Sequence, residues 1–184
     1  MPFAPQRSAD TAGTWNADTA HGQIGFAIKH LVITTVRGRF TDYVGTVTVD
    51  PAGFGKSKVE FTVQSASIDT GQKQRDDHLR SPDFLDTAKF PTLTFKSTKV
   101  VRKGDAFVAE GPLSLHGVVR TVSVPFAVTK PVKGMMGETR VGLSAKFPIS
   151  RKAFGLTWNK LVEGSAVVAD TVDIELDLAF TKAK

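Results

Sequence analysis

The residues best suited to move a proton near neutral pH are the four histidines, His21, His30, His78 and His116. None stands at the tight spacing of a zinc site, and a chain without cysteine has no thiolate to complete one. Ser114 and Ser144 lack the flanking glycines of a nucleophile elbow. The run Gly53–Ser57 (GFGKS) imitates the tail of a phosphate-binding loop. The glycine needed five positions before Gly55 is replaced by Asp50, however, and KVEFTV follows as a strand where a helix N-terminus would have to cradle the phosphates. The carboxylates Asp69, Asp76, Asp77, Asp83 and Asp86 suit turns and capping, with Asp76 and Asp77 beside Lys73, Arg75 and Arg80 on an exposed helix. The reading is therefore no catalytic residue, no metal ligand and no cofactor.

The elements around these residues read as strands. From Thr14 onward apolar and polar residues alternate with period two. Ile24, Phe26 and Ile28 share one face. Val59, Phe61 and Val63 oppose Glu60, Thr62 and Gln64. Leu93 and Phe95 alternate with Thr94 and Lys96, and Ile174, Leu176, Leu178 and Phe180 alternate with Asp173, Glu175 and Asp177. Turn signals such as DPAGFG, RKGD, HGVVR and VKGMMGE separate eight or nine such runs, which indicates a sandwich or barrel built from hairpins. One stretch departs from this: good helix formers run from Gln72 to Leu79 and stop before Pro82, predicting a short helix across one end of the sheet.

Residues 1–12 read as a frayed arm and 13–184 as one domain, with no linker or internal repeat. The start, MPFAPQRSADTAGTW, has no apolar run after a basic stretch, and nothing approaches the ~18 apolar residues of a membrane-spanning helix. A cytoplasmic protein is the expectation, and the absence of cysteine suits a reducing compartment. The formal charge of +6 is spread along the chain, as on a solvated surface. Stacking on nucleic acid needs aromatics and cations on one face, whereas Phe95 points away from Lys96.

Thirteen Phe against two Trp and one Tyr suit a dry interior. The inward candidates are Phe26, Ile28, Val59, Phe61, Val63, Leu93, Phe95, Leu113, Leu115, Phe126 and Phe147. An eight-stranded barrel is just wide enough to be filled by side chains or to hold one small ligand. Periodicity cannot see a cavity, and by itself it favours a filled core.

The ordered segments IGFAIKHL, VRGRF, FTVQSASIDTG, DDHLRSPDFLDTAKFPTLTFKST, GPLSLHGVVRTVSVPF and ISRKAFGLTWN closely resemble the YceI-like family, over about residues 14 to 181. The central segment is the most specific, with His78 and Leu79, then Ser81, Asp83 and Phe84, then Phe90-Pro91 entering a strand. The resemblance implies an all-β fold: an extended, eight-stranded, antiparallel, lipocalin-like barrel whose pocket takes a polyisoprenoid or similar amphiphile. It implies no general catalytic activity. On this reading the inward candidates, joined by Phe84, line the pocket, and His30, Arg37, His78, Arg151 and Lys152 stand at strand ends or in loops where a headgroup would wait. The role implied is a carrier or sequestering protein. The partners implied are the lipid and at most a second copy in a homodimer, with no nucleic acid and no stable membrane insertion. The alternatives are an enzyme acting on a small amphiphile in the same cavity, for which His30 or His78 would need an acidic neighbour, and a module binding a partner or nucleic acid through its basic surface.

Overall fold

Alternation at period two becomes a continuous antiparallel ladder in the computed structural model, which describes residues 11–162 and 164–184. In chain order the strands are β1 (Gly13–His30), β2 (Thr34–Phe40), β3 (Tyr43–Val49), β4 (Lys58–Gln64), β5 (Ile68–Asp69), β6 (Thr92–Lys96), β7 (Lys99–Lys103) and β8 (Ala106–Leu115). They continue as β9 (Val118–Val128), β10 (Val132–Lys133), β11 (Thr139–Ser150), β12 (Leu161–Val162), β13 (Ser165–Ala166) and β14 (Val168–Lys182). The helix α1 (Lys73–Arg80) lies between β5 and β6, within a residue of the span its composition predicts.

The ring runs β1–β3–β4–β6–β8–β9–β11–β14 and returns to β1, an eight-stranded closed barrel. β14 closes it by pairing with β11 on one side and β1 on the other, from Trp15↔Lys182 to His30↔Val168. Closure removes the exposed strand edges that an open sheet of this size would leave. β1 is long enough to pair with β3 through its first residues and with β2 through its last. The barrel is therefore extended along its axis at the end carrying β2, β5 and α1.

Two glycines shape the interior. Gly38 pairs with Phe26 across β1 and β2, and Gly45 pairs with Phe61 across β3 and β4. A Cβ at Gly38 would fall 2.4 Å from the nearest atom of the Phe26 ring, and one at Gly45 2.3 Å from that of Phe61. Each phenylalanine thus lies flat against the wall over a residue that has no side chain, instead of projecting towards the axis.

The end away from α1 is packed by a cluster that includes Trp15, Phe107, Phe126, Val141 and Phe180. Trp15 Nε1 donates to the Thr11 carbonyl at 2.8 Å, and Thr11 is buried. The expected frayed arm lies outside the described residues apart from Thr11 and Ala12, and Thr11 is packed.

The β1–β2 connection is strained. Ile33 N–H donates to the His30 carbonyl at 3.2 Å, and both central residues of this turn have positive φ, Leu31 at 50° and Val32 at 64°. Type I′ turns require that geometry and strongly prefer Asn-Gly. For residues with a Cβ it costs roughly 1–2 kcal/mol each.

Candidate functional site

Three chambers follow one another along the barrel. The upper one, about 510 Å³, lies beneath α1. The middle one, about 130 Å³, shares Phe40, Leu93, Leu115, Ile149 and Ile174 with it. The lower one, about 60 Å³, shares Val59, Phe126 and Leu143 with the middle one. The upper volume is within the roughly 300–1,000 Å³ of small-molecule sites.

All the apolar residues singled out in the sequence face these spaces. Phe26, Ile28 and Phe84 line the upper chamber, and Leu93 and Leu115 bound both it and the middle one. Phe61, Val63, Phe95, Leu113 and Phe147 line the middle chamber, while Val59 and Phe126 stand between middle and lower. Among the described residues that line the middle chamber, Thr94 is the one polar residue.

Polar groups gather at the upper end. Lys29, His30, Gln72, Gln74, Arg75, His78 and Arg151 line the upper chamber. His78 Nε2 donates to Asp83 Oδ2 at 2.8 Å, and its ring meets those of Phe84 and Trp158 edge-on, each at 5.0 Å. Arg151 is 3% exposed. Its Nε donates to the Ala169 carbonyl, one terminal nitrogen to those of Leu156 and Trp158, and the other to that of Val168. Burial lowers the Arg151 pKa, opposed by the nearby Asp170 charge. Its guanidinium clamps the 151–158 loop onto β14 and at the same time forms part of the chamber wall.

Two of the expected headgroup residues stand elsewhere. Arg37 is on the outer surface, because in β2 Val36 faces the chamber and strand geometry sends its neighbour outward. Arg37 there forms an ion pair with Glu175 at 3.0 Å. Lys152 is exposed at the start of a short 3-10 turn, where its backbone N–H donates to Asp170 Oδ1 at 3.0 Å and its carbonyl accepts from Gly155 N–H. A further correction concerns Asp76, which is 6% exposed and not on the solvent face. It accepts from the Thr70 N–H and hydroxyl and so ties α1 to the segment before it, while Asp77 pairs with Lys73 and Arg80 as expected.

The sequence reading passed over Phe40, Ile68, Leu156, Trp158, Ile174 and the polar Gln72, Gln74 and Arg75, all of which line the upper chamber. Ile174 was visible in the clearest strand run. Gln72, Gln74 and Arg75 carry no local signal, since only the seating of α1 over the barrel turns them inward. Among the described residues no group of three or more His, Asp or Glu could hold a metal ion.

A closed eight-stranded antiparallel barrel with an apolar axial cavity and a polar mouth defines a lipocalin-like class of binding fold. A family profile described as the YceI-like domain matches residues 15–180. The chain belongs to the YceI-like family. It is similar to the protein YceI of Escherichia coli O157:H7, 38% identical over 136 residues, covering 74% of this chain and 71% of that one. Among solved structures, BcnA of Burkholderia cenocepacia superposes with a TM-score of 0.78 at 26% identity, covering 89% of this chain and 98% of that one. A domain of Saccharophagus degradans described as polyisoprenoid-binding has the same fold, with a TM-score of 0.69 at 16% identity, covering 92% and 98%.

Proposed function

We propose that this protein binds a long-chain polyisoprenoid or similar amphiphilic lipid along the barrel axis and acts as a carrier or sequestering protein, not as an enzyme. The observation that carries this reading is the series of three adjoining chambers, apolar below and polar at the mouth. Such a shape suits an extended chain with one hydrophilic end. Burial yields ~0.8 kcal/mol per methylene, on the order of 16 kcal/mol gross for about 20 carbons. Much of that is offset by ordering the chain and by lost translational freedom. A micromolar to nanomolar affinity follows.

At the mouth, His30, Gln72, Gln74, Arg75 and His78 supply donors for a polar or phosphorylated headgroup. The His78–Asp83 pair is half-exposed and meets the rim of the chamber, which favours a headgroup role over acid–base work on a buried chain. Absence of cysteine suits a reducing compartment such as the cytoplasm. The test is native mass spectrometry of the purified protein with extraction of any bound lipid, followed by titration of delipidated protein with geranylgeraniol. The reading predicts one lipid per barrel. No lipid in the purified protein together with no saturable binding at concentrations well above micromolar would reject it.

A further inference from the structure

Two exposed apolar tips flank the mouth of the upper chamber. One is the β1–β2 turn, where Val32 and Ile33 are each 78% exposed. The other is the β12–β13 hairpin, where Leu161 and Val162 are 73% and 50% exposed. Leu31 N–H donates to the Val167 carbonyl at 2.8 Å and holds the two side by side. Lys29, His30 and Val167, from the bases of the same two loops, line the chamber.

The chemistry of these tips is opposite to what their backbone asks for. The β1–β2 turn has the geometry that Asn-Gly adopts most easily, and the chain places Leu31 and Val32 there at positive φ. A β-branched residue held in that conformation with its side chain in water gains neither packing nor ease of turning. Strain of this kind clusters where the surrounding structure has a use for it. Exposed cations stand beside the apolar groups: Lys29 at the end of β1, and Lys160 next to Leu161, its Nζ 6.0 Å from the centre of the Trp158 ring. Trp158 itself lines the mouth, the position in which indole rings favour the boundary between water and lipid. Among the described residues Asp83 at this end is bonded to His78, and in the sequence Glu163 follows Val162.

We propose that this rim is a docking surface for an anionic phospholipid bilayer, seated so that the mouth of the barrel opens onto the lipid. The apolar tips enter the headgroup and upper acyl region while Lys29 and Lys160 meet lipid phosphates, an interfacial contact and not a span. The site borders the lumen, sharing Lys29 and Trp158 with the wall of the upper chamber.

The test uses delipidated full-length protein and two kinds of vesicle, phosphatidylcholine alone and a mixture of seven parts phosphatidylcholine to three parts phosphatidylglycerol. Co-sedimentation is the readout. The protein is expected to bind the mixed vesicles and to bind the neutral ones weakly. The double substitution Leu31→Asn with Val32→Gly should weaken binding by roughly tenfold or more, through lost apolar burial. It should also raise the melting temperature, because the turn relaxes. The second pair Leu161→Ser with Val162→Ser should weaken binding without that rise. Met135 and Met136, 104% and 94% exposed in the hairpin at the far end of the barrel, are the control, and replacing both with Ser should leave binding unchanged.

Failure of wild-type protein to bind phosphatidylglycerol vesicles overturns the proposal. So does a Leu31→Asn/Val32→Gly variant that gains stability and binds as before, or an equal loss on replacing the methionines. Because no prenyl ligand is present, this result and the lumen titration can fail independently.

Discussion

Gly45 and Phe61 show how single residues decide whether a barrel is solid or hollow. The Phe61 ring occupies the space that a Cβ at position 45 would fill, so Gly45→Ala forces the ring towards the axis. The expected cost is about 1–3 kcal/mol of stability, as for other overpacked sites, together with weaker prenyl binding, read by denaturant unfolding and by titration. Phe95 is different, since it is half-buried and lines the middle chamber. Phe95→Trp should lower prenyl affinity and leave the melting temperature of ligand-free protein nearly unchanged, because the larger ring has open volume to enter. A clear loss of stability with unchanged affinity would mean the middle chamber is packed and not a ligand path. Arg151 belongs to a third kind. Replacing it with Met removes the donor to the Ala169, Leu156 and Trp158 carbonyls, while the Val168 carbonyl keeps that of Asn159 Nδ2. At ~1–3 kcal/mol for a buried unsatisfied group, a loss of about 2–5 kcal/mol is expected in urea unfolding. Arg151→Lys should recover little, because an ammonium cannot reproduce the planar fork.

At the scale of elements, the connection from β11 to β14 is tied down by Asp170. Its carboxylate accepts from the Lys152 backbone N–H at 3.0 Å and from the Ser150 hydroxyl at 2.8 Å. These bonds, the N–H first, together with the neighbouring cationic charges of Lys152 and Arg151, hold its pKa below the ordinary aspartate value. A carboxyl whose pKa is depressed by folding stabilises the folded state above its unfolded pKa, roughly 4, and that contribution disappears as the pH falls through the folded value. The loop from Arg151 to Trp158 is therefore expected to loosen below about pH 4 while remaining unchanged between pH 5 and 8. Amide exchange at Lys152 and the fluorescence of Trp158 would follow it, and loosening that set in near pH 6 would point to a histidine instead. On the other side of the mouth, α1 is held by the buried Asp76 bonded to Thr70. Both flanks of the mouth thus depend on carboxylates that accept backbone N–H groups.

For the whole molecule, a ligand that occupies only the folded state adds stability by mass action, about 2.7 kcal/mol at a hundred times its dissociation constant. For a domain of this length each kcal/mol raises the melting temperature by roughly 2–4 °C. Saturating geranylgeraniol should therefore raise it by about 5–10 °C in delipidated protein, measured by differential scanning calorimetry. The proposed ligand site and the proposed docking rim adjoin, because the largest chamber lies at the α1 end, whereas Trp15, Phe107 and Phe180 pack around the smallest one at the other. The α1 end thus carries both the mouth and the two apolar tips that flank it, while Met135 and Met136 are the exposed apolar residues of the far end's hairpin.

The sequence by itself determined the strand pattern, the helix near Gln72 to Leu79 and which face of each strand points inward, since period two is a local property that survives any arrangement of neighbours. Phe26, Phe61, Phe95 and Leu115 were legible for that reason. Depth was not. Whether those faces meet or leave a cavity depends on volumes contributed by all the strands of the ring, and on Gly38 and Gly45 receiving rings from other strands, which only tertiary pairing sets. The surroundings of the cations were not legible for a related reason. Arg37 and Arg151 look alike at strand ends, but register sends the first outward to Glu175 and buries the second among backbone carbonyls. A charge takes its role from the partners brought to it across the fold, and those partners lie 138 residues away for Arg37 and up to 18 for Arg151.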